Sequence, residues 1–415
     1  MGARPSRRLG PEWILVGFLW FCYMLNHADR QVVYTLFPAL QKDLGFSNAA
    51  LGLTGALFLW VYGLVSPLAG ALGDRWPKTK LVVSSLVIWS AFTILTGFTP
   101  GVLYLLTCRA LLGVSESVFM PAAYGLMANA HPPESRSKAI AIFGTSQLLG
   151  VALGGSLSGY VAQQFNWRVS FWLLGITGVL FAIPLALFFR AIPASFHGTG
   201  VSGASAAFRG FLSLFRIPSL GVVTFFVSIA TFGLYLVYTW LPTFLYDKFS
   251  LDLAHAGLEA SVYPQIGSAL GLLVGGMAAD AFYGRNHAAR FWVILTACLG
   301  AAPCIFLIGH SPTLEATRFA SLGFGFFSGF IVANQAAAAF DVVPPSLRAS
   351  TVGVLNLLGA TISGFAPFLG GLARQTVGVG SLMTLAAVLY ALTAFVVLYG
   401  ILVPFARDHK LALDP

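Results

Sequence analysis

Four charged residues interrupt otherwise apolar stretches of the chain. Asp29 and Arg30 are neighbours in one stretch, and Arg109 and Glu116 lie together in another. Each of these charges costs at least about 2.5 kcal/mol at the centre of a bilayer, so we expect each to face a protein partner or a water-filled cavity. In such surroundings an arginine can hold an anion and a carboxyl group can carry a proton.

The stretch that contains Asp29 and Arg30 has a polar face if it is helical. With the helical period of about 3.6 residues, Tyr23, His27, Arg30 and Tyr34 share one face. His27 lies well inside this stretch, but a single histidine makes no metal site, which argues against an intramembrane metalloenzyme. A helix with such a face is typical of the wall of a solute pathway.

Spacing along the helices suggests a role for each charge. At about 1.5 Å per residue, Asp29 and Arg109 lie at the same depth, which predicts an ion pair or a purely structural contact. Glu116 lies near the midplane, where burial disfavours the ionised carboxylate, so it is predicted to carry a proton or to be a neutral structural residue. Arg30 is predicted to bind a substrate carboxylate, with an internal pair to Asp29 or Glu116 as the alternative.

The composition indicates an integral membrane protein. Of 415 residues, 57% are hydrophobic and 9% are charged, whereas soluble domains have about 25% charged residues. Twelve apolar stretches predict twelve transmembrane helices, near residues 13–37, 47–71, 79–98, 101–128, 137–161, 168–190, 219–244, 255–281, 289–309, 314–341, 346–374 and 379–404. The long Gly/Ser/Ala-rich connection 191–218 divides an N-terminal bundle, 1–190, from a C-terminal bundle, 219–415.

The net charge of +9 is concentrated on one side of this predicted topology. Both terminal segments and the connection 191–218 belong to that side. An excess of lysine and arginine marks cytoplasmic loops, so both termini are predicted to be cytoplasmic. The same excess is explained by anionic lipid and does not indicate binding of nucleic acid.

Three short patterns recur in register in the two halves. Tyr34-Thr35-x-x-Pro38 recurs as Tyr238-Thr239-x-x-Pro242, Gly70-x-x-x-Asp74 as Gly276-x-x-x-Asp280, and Pro132-Pro133-x-x-Arg136 as Pro344-Pro345-x-x-Arg348. The repeats predict an all-α membrane protein of two six-helix bundles related by an axis along the membrane normal. A binding site is expected near the midplane between the bundles.

The stretch Gly70-Ala-Leu-Gly-Asp74-Arg75-Trp-Pro77-Lys78 resembles the loop signature of the major facilitator superfamily, although Pro77 stands where glycine is usual. In that family this loop joins helices 2 and 3 and holds the cytoplasmic side shut. The resemblance therefore implies a gating role for Gly70, Asp74, Arg75 and Lys78. The antiporter signature of the family is incomplete, because its Gly-Pro pair is missing, and this favours symport.

Within the superfamily the chain is most similar to the anion:cation symporters, which carry sugar acids. The shared residues are Asp29-Arg30, Tyr62, Arg109 with Glu116, Gln147 and Asn356. The expected substrate-binding residues are Arg30, His27, Tyr62, Gln147, Asn334, Gln335 and Asn356, and the expected proton-coupling residues are Asp29, Glu116 and Arg109. For each uncharged residue the alternative role is a hydrogen bond between helices. For His27 the alternative is a position in the core where its hydrogen bonds are satisfied.

The resemblance implies a proton-coupled symporter that imports a small organic anion, such as a sugar acid, by alternating access. The alternative is a Spinster-like carrier of lysophospholipid or sphingoid lipid, which shares the charges of helices 1 and 4. A non-transporting receptor or a channel represents a further class. No enzyme activity and no cofactor are expected. The expected partners are the anion, protons and membrane lipids, for a monomer that crosses the inner cell membrane many times.

Overall fold

The computed structural model describes residues 10–192, 214, 217–344, 347–374 and 376–413. Most of the predicted connection 191–218 lies outside these residues, as do the side chains of 70–75. The described residues form helices joined by short turns, and they include no strand. The predicted all-α architecture is confirmed.

The helices follow one another in the order that the apolar stretches predict. They are α1 (Pro11–Thr35), α2 (Phe37–Leu44), α3 (Asn48–Arg75), α4 (Lys78–Thr96), α5 (Val102–Ser117), α6 (Phe119–Ala130), α7 (Pro133–Gln164), α8 (Trp167–Ala191), α9 (Pro218–Phe249), α10 (Leu253–Tyr283), α11 (Ala289–His310), α12 (Leu314–Phe340), α13 (Arg348–Ala373), α14 (Gly378–Leu402) and α15 (Phe405–Leu413). The predicted fourth span is interrupted at Val118, between α5 and α6.

Within the described residues, eleven segments are long and apolar enough to cross a membrane, with α5 and α6 counted as one. α1 is not among them, because its polar residues lower its mean hydropathy. It is nevertheless 25 residues long, and it is buried from Cys22 to its end at Thr35. With α1 as the first span, the predicted twelve crossings are accounted for.

We call α1–α8 the first bundle and α9–α15 the second bundle. The side where α1 begins and α14 ends is the terminal side, and the opposite side is the far side. One apolar core lies within the first bundle, around Phe119 and Phe143. The other fills the second bundle and extends to Val32, Phe37 and Leu51 of the first. The two bundles are therefore packed against each other at the far side.

Close backbone approaches show how tightly the far side is closed. A Cβ added at Gly159 of α7 would lie 2.2 Å from the carbonyl oxygen of Leu253, and one added at Gly52 of α3 would lie 2.3 Å from that of Pro367. Only glycine allows contacts of this length between helices. By contrast, a Cβ at Gly144, in the terminal half of α7, would meet no atom of the described residues within 4 Å.

Polar contacts also join helices at the far side. Arg374 of the second bundle donates to Asn48 Oδ1 of the first bundle at 2.6 Å. Within the first bundle, the Asp43 carboxylate accepts from the Trp167 indole at 2.9 Å and from Arg168 at 2.6 Å. The Trp167 and Arg168 hydrogen bonds lower the pKa of Asp43 below its usual range. The Arg374–Asn48 contact acts with the glycine contacts to hold the far side shut, whereas the Asp43 contacts stabilise the first bundle alone.

Candidate functional site

A buried ion pair joins α1 to α5 in the first bundle. Arg30 Nε lies 2.7 Å from Glu116 Oε2, and the two side chains are 10% and 1% exposed. Gly113, one turn before Glu116, sets the position of α5, because a Cβ there would lie 2.8 Å from the carbonyl oxygen of Phe58 in α3. The internal pair between Arg30 and Glu116, the alternative in the sequence analysis, is the one that forms.

The Arg30 guanidinium has hydrogen-bond donors that Glu116 does not use. Its Cζ atom lies 4.8 Å from the ring centroid of Tyr62 and 5.0 Å from that of Phe58. Its Nη2 atom is buried and has no hydrogen-bond partner among the described residues. Tyr235 of α9 packs against the first-bundle core beside it, so Arg30 lies where the two bundles meet. This arrangement can accept an oxyanion.

The predicted ion pair between Asp29 and Arg109 is wrong for the described residues. Asp29 Oδ2 accepts a hydrogen bond from Thr93 of α4, and Asp29 Oδ1 has no partner among the described residues. Arg109 Nε donates to the carbonyl oxygen of Thr54 at 3.4 Å, and its Cζ lies 4.8 Å from the Phe58 ring centroid. The two residues share a depth, but one contacts α4 and the other contacts α3.

His27 lies one turn before Arg30 in a layer of rings. It is 7% exposed, its ring is edge-on to Tyr23 at 4.6 Å, and its Nε2 atom has no partner among the described residues. Tyr23 stacks on Phe143 at 4.6 Å and donates to Gln147 Oε1 at 3.4 Å. The structure therefore brings His27 and Gln147 to the same face of α1 as Arg30.

The uncharged residues of the second bundle divide into two groups. Asn334 is buried and donates to the carbonyl oxygens of Gly275 and Phe330, at 3.1 and 2.9 Å, so it ties α12 to α10. Its expected place in the substrate site is not supported by these contacts. Gln335 is half-buried beside it, and Asn356 of α13 is exposed in the terminal half.

The expected gating residues are only partly described. Gly70, Asp74 and Arg75 end α3, but their side chains lie outside the described residues. Lys78 begins α4, and its aliphatic stem covers Gly125 of α6, where an added Cβ would lie 2.5 Å from Lys78 Cε. Their gating role stays a prediction.

Sequence reasoning missed three residues of the site. Thr93 and Phe58 carry no charge and sit in apolar helices, so no sequence signal marks them. Tyr235 had a signal in the sequence repeat. When Tyr34 is aligned with Tyr238, Tyr235 lies one residue after the position that corresponds to Arg30. The repeat could thus have shown which residue of the second bundle faces the arginine.

Two helical bundles, closed at one side, with a buried ion pair where they meet, define a secondary transporter. The sequence profile of the Major Facilitator Superfamily matches residues 19–367, and the chain belongs to that family. It is a transporter and not an enzyme.

Relatives and solved structures agree with this assignment. The chain is 26% identical to a hexuronate transporter of Bacillus subtilis over 85% of this chain and 86% of that protein. It is 27% identical to an MFS-type efflux pump of Mycolicibacterium smegmatis over 88% and 85%, respectively. A bacterial homologue of the lysosomal transporter Spinster, solved in an inward-facing, unoccupied conformation, superimposes with a TM-score of 0.76 at 20% identity, over 100% of this chain and 99% of that one. The last comparison shows the shared fold alone.

Proposed function

We propose that this transporter is a proton-coupled symporter that imports a small organic anion. The observation that carries the proposal is the buried contact of Arg30 with Glu116, at 2.7 Å, where the bundles meet. Relatives named as transporters of hexuronate, of galactarate and D-glucarate, and of sulfoacetate support an organic anion as the substrate. Among the described residues no comparable contact favours a lipid carrier, and the Spinster homologue is similar in fold alone.

The ion pair couples proton to anion by competition. While Glu116 is ionised, it occupies the Nε edge of Arg30 and neutralises its charge. When Glu116 takes up a proton, the attraction falls and the guanidinium can bind a substrate carboxylate through two parallel hydrogen bonds. Anion binding without the proton would leave two carboxylates at one arginine in apolar surroundings, which is costly. Proton and anion therefore bind together.

Other residues have supporting roles in this proposal. His27, Tyr62 and Gln147 line the anion site on the first bundle, and Asn356 and Gln335 complete it from the second. Asp29 and Arg109 keep the buried charges of the first bundle balanced.

Alternating access follows from the closed far side. Rocking of the bundles about the site would open the far side and close the terminal side, where Gly70, Asp74, Arg75 and Lys78 would act as the latch. Because basic residues are concentrated on the terminal side, we place that side, with both termini, in the cytoplasm of a cell whose inner membrane holds the protein.

The test is Glu116→Gln in proteoliposomes of the full chain. The vesicles are given an equimolar mixture of labelled D-glucuronate and labelled 4-nitrobenzoate. The label that they take up is measured relative to protein-free vesicles. The variant should lose uptake driven by a pH gradient, because it cannot exchange a proton. It should keep exchange between equal pools, because its neutral side chain mimics protonated Glu116.

Glu259→Gln is the matched control. Glu259 is also a buried glutamate that contacts an arginine, 2.5 Å from Arg318, but it lies near the far side within the second bundle. This variant should keep pH-driven uptake. Wild-type pH-driven accumulation in Glu116→Gln would refute the proposed coupling.

A further inference from the structure

The buried charges at the centre form a balanced set with few members. Among the described residues, Arg30 and Arg109 are the only buried lysine or arginine side chains. Asp29 and Glu116 are the buried acids beside them. The remaining buried acids lie elsewhere: Glu259 contacts Arg318, Asp341 contacts Arg290, and Asp408 accepts from Ser219 N. The centre therefore sums to zero with all four groups ionised.

Uptake of one proton at the centre allows one additional negative charge to be compensated there. Protonation of Glu116 leaves the centre with a single positive surplus, which one carboxylate cancels. Arg109 also has a buried Nη2 atom without a partner among the described residues, but the residue is only 1% exposed and its Nε donates to Thr54 in the far half of α3, away from the open terminal side. A dianion would bring an uncompensated charge into apolar surroundings, and such a charge is strongly disfavoured.

The walls beside Arg30 are aromatic. Tyr62 lies under the guanidinium on the first bundle, and Tyr235 approaches from the second. Two turns toward the terminal side, Tyr23 stacks on Phe143. Tyrosine faces make favourable offset-stacked or edge contacts with a planar ring. A carboxylate held by Arg30 would place its body between these faces.

Two of the uncharged residues expected to hydrogen-bond a polyol already have partners among the described residues. Asn334 is committed to the α10 and α12 backbones, and Gln147 already accepts from Tyr23. A site that selects a polyol must hydrogen-bond its hydroxyl groups, because unpaired polar groups are penalised on burial.

We infer that the anion is a monocarboxylate with a flat, apolar body, such as an aromatic ring, held with its carboxylate on Arg30 and its ring between Tyr62 and Tyr235. This inference rests on the proposed symport function and specifies its substrate class. The charge of the anion and the shape of its body are separate features, and each can be tested alone.

Four probes test both features by titration calorimetry on the purified full chain. 4-Nitrobenzoate and terephthalate have the same shape but one and two negative charges. D-glucuronate and D-glucarate have hydroxyl-rich bodies and carry one and two negative charges, respectively. We expect 4-nitrobenzoate to bind at least about ten-fold more tightly than each of the other three, as expected when a lost stacking contact or an extra buried charge weakens binding.

The outcomes separate the inference from the function it rests on. Tighter binding of D-glucuronate overturns the aromatic body but leaves symport of an organic anion intact. Binding of terephthalate as tight as that of 4-nitrobenzoate overturns the single charge. Binding of none of the four overturns both the inference and the proposed function.

Variants of Tyr62 distinguish the ring from the hydroxyl group. Tyr62→Phe keeps the ring and should retain much more 4-nitrobenzoate affinity than Tyr62→Leu, which should lower it about ten-fold. Thermal unfolding of each purified variant shows whether it is folded. Equal loss in the two folded variants would overturn the stacking role.

Discussion

Gly159 of α7 provides the sharpest test of how the far side opens and closes. It packs against the start of α10 in the other bundle, where an added Cβ would lie 2.2 Å from the Leu253 carbonyl oxygen. Real Cβ contacts are essentially never shorter than 3.0 Å, so Gly159→Ala requires the two helices to separate by at least the difference. We expect this variant to destabilise the state with the far side closed.

The size of the effect follows from the contact. Overpacking a tight contact costs about 1–3 kcal/mol, and such a difference between two states shifts their populations by about 5- to 150-fold. Alanine also raises helix propensity by about 1 kcal/mol relative to glycine, but equally in both states. Gly144→Ala, in the same helix with no atom within 4 Å of its added Cβ, isolates that propensity effect.

Spin labels at Lys42 and Ser250, in a cysteine-free background, report the far-side separation of the bundles. Both positions are exposed and lie in different bundles. In Gly159→Ala the population with long distances should rise, and in Gly144→Ala it should match the parent protein. If the two variants give the same distance distribution, the far-side contact does not control the equilibrium, and the reasoning is refuted.

Two further predictions concern polar contacts of the far side. Asn48→Ala removes the acceptor that Arg374 uses across the bundles, a charged hydrogen bond worth about 1.5–3 kcal/mol, so it should also increase the long-distance population. Asp43→Asn disrupts contacts within one bundle only, so it should leave the long-distance population unchanged. Equal shifts of that population in the two variants would contradict this account. Because Trp167 and Arg168 lower the pKa of Asp43, its carboxylate stabilises the fold above the unfolded pKa of about 4, and this stability is lost as pH falls through the lower folded pKa. The melting-temperature difference between wild type and Asp43→Asn should be present near pH 6 and shrink progressively as the pH falls below the unfolded pKa of about 4; a difference independent of pH would show that the charge of Asp43 is not involved.

The sequence by itself determined the number and order of the membrane helices. Bilayer thickness requires long apolar stretches, and these are legible without tertiary contacts. The repeats of Tyr34 and Gly70 indicated two related bundles, and the charges of Asp29, Arg30, Arg109 and Glu116 marked the helices that hold the site. A charge inside an apolar stretch is informative because its cost must be compensated.

Only the tertiary structure decided which of these residues are partners. Depth follows from the rise per residue, and on that basis Asp29 and Arg109 were expected at similar heights. Contact also depends on rotation about each helix axis, which is set by packing of small residues such as Gly113 on neighbouring helices. For that reason Arg30 pairs with Glu116 while Asp29 turns to Thr93.

The same limit applies to the uncharged residues and to the state of the transporter. A mid-span Asn or Gln can face a ligand or a neighbouring helix with the same spacing, and for Asn334 the structure shows hydrogen bonds to helix backbone. Sequence cannot tell which side of the protein is closed, because both states use the same helices. The close contacts at Gly52 and Gly159 decide it, since they exist only when the two bundles meet at the far side.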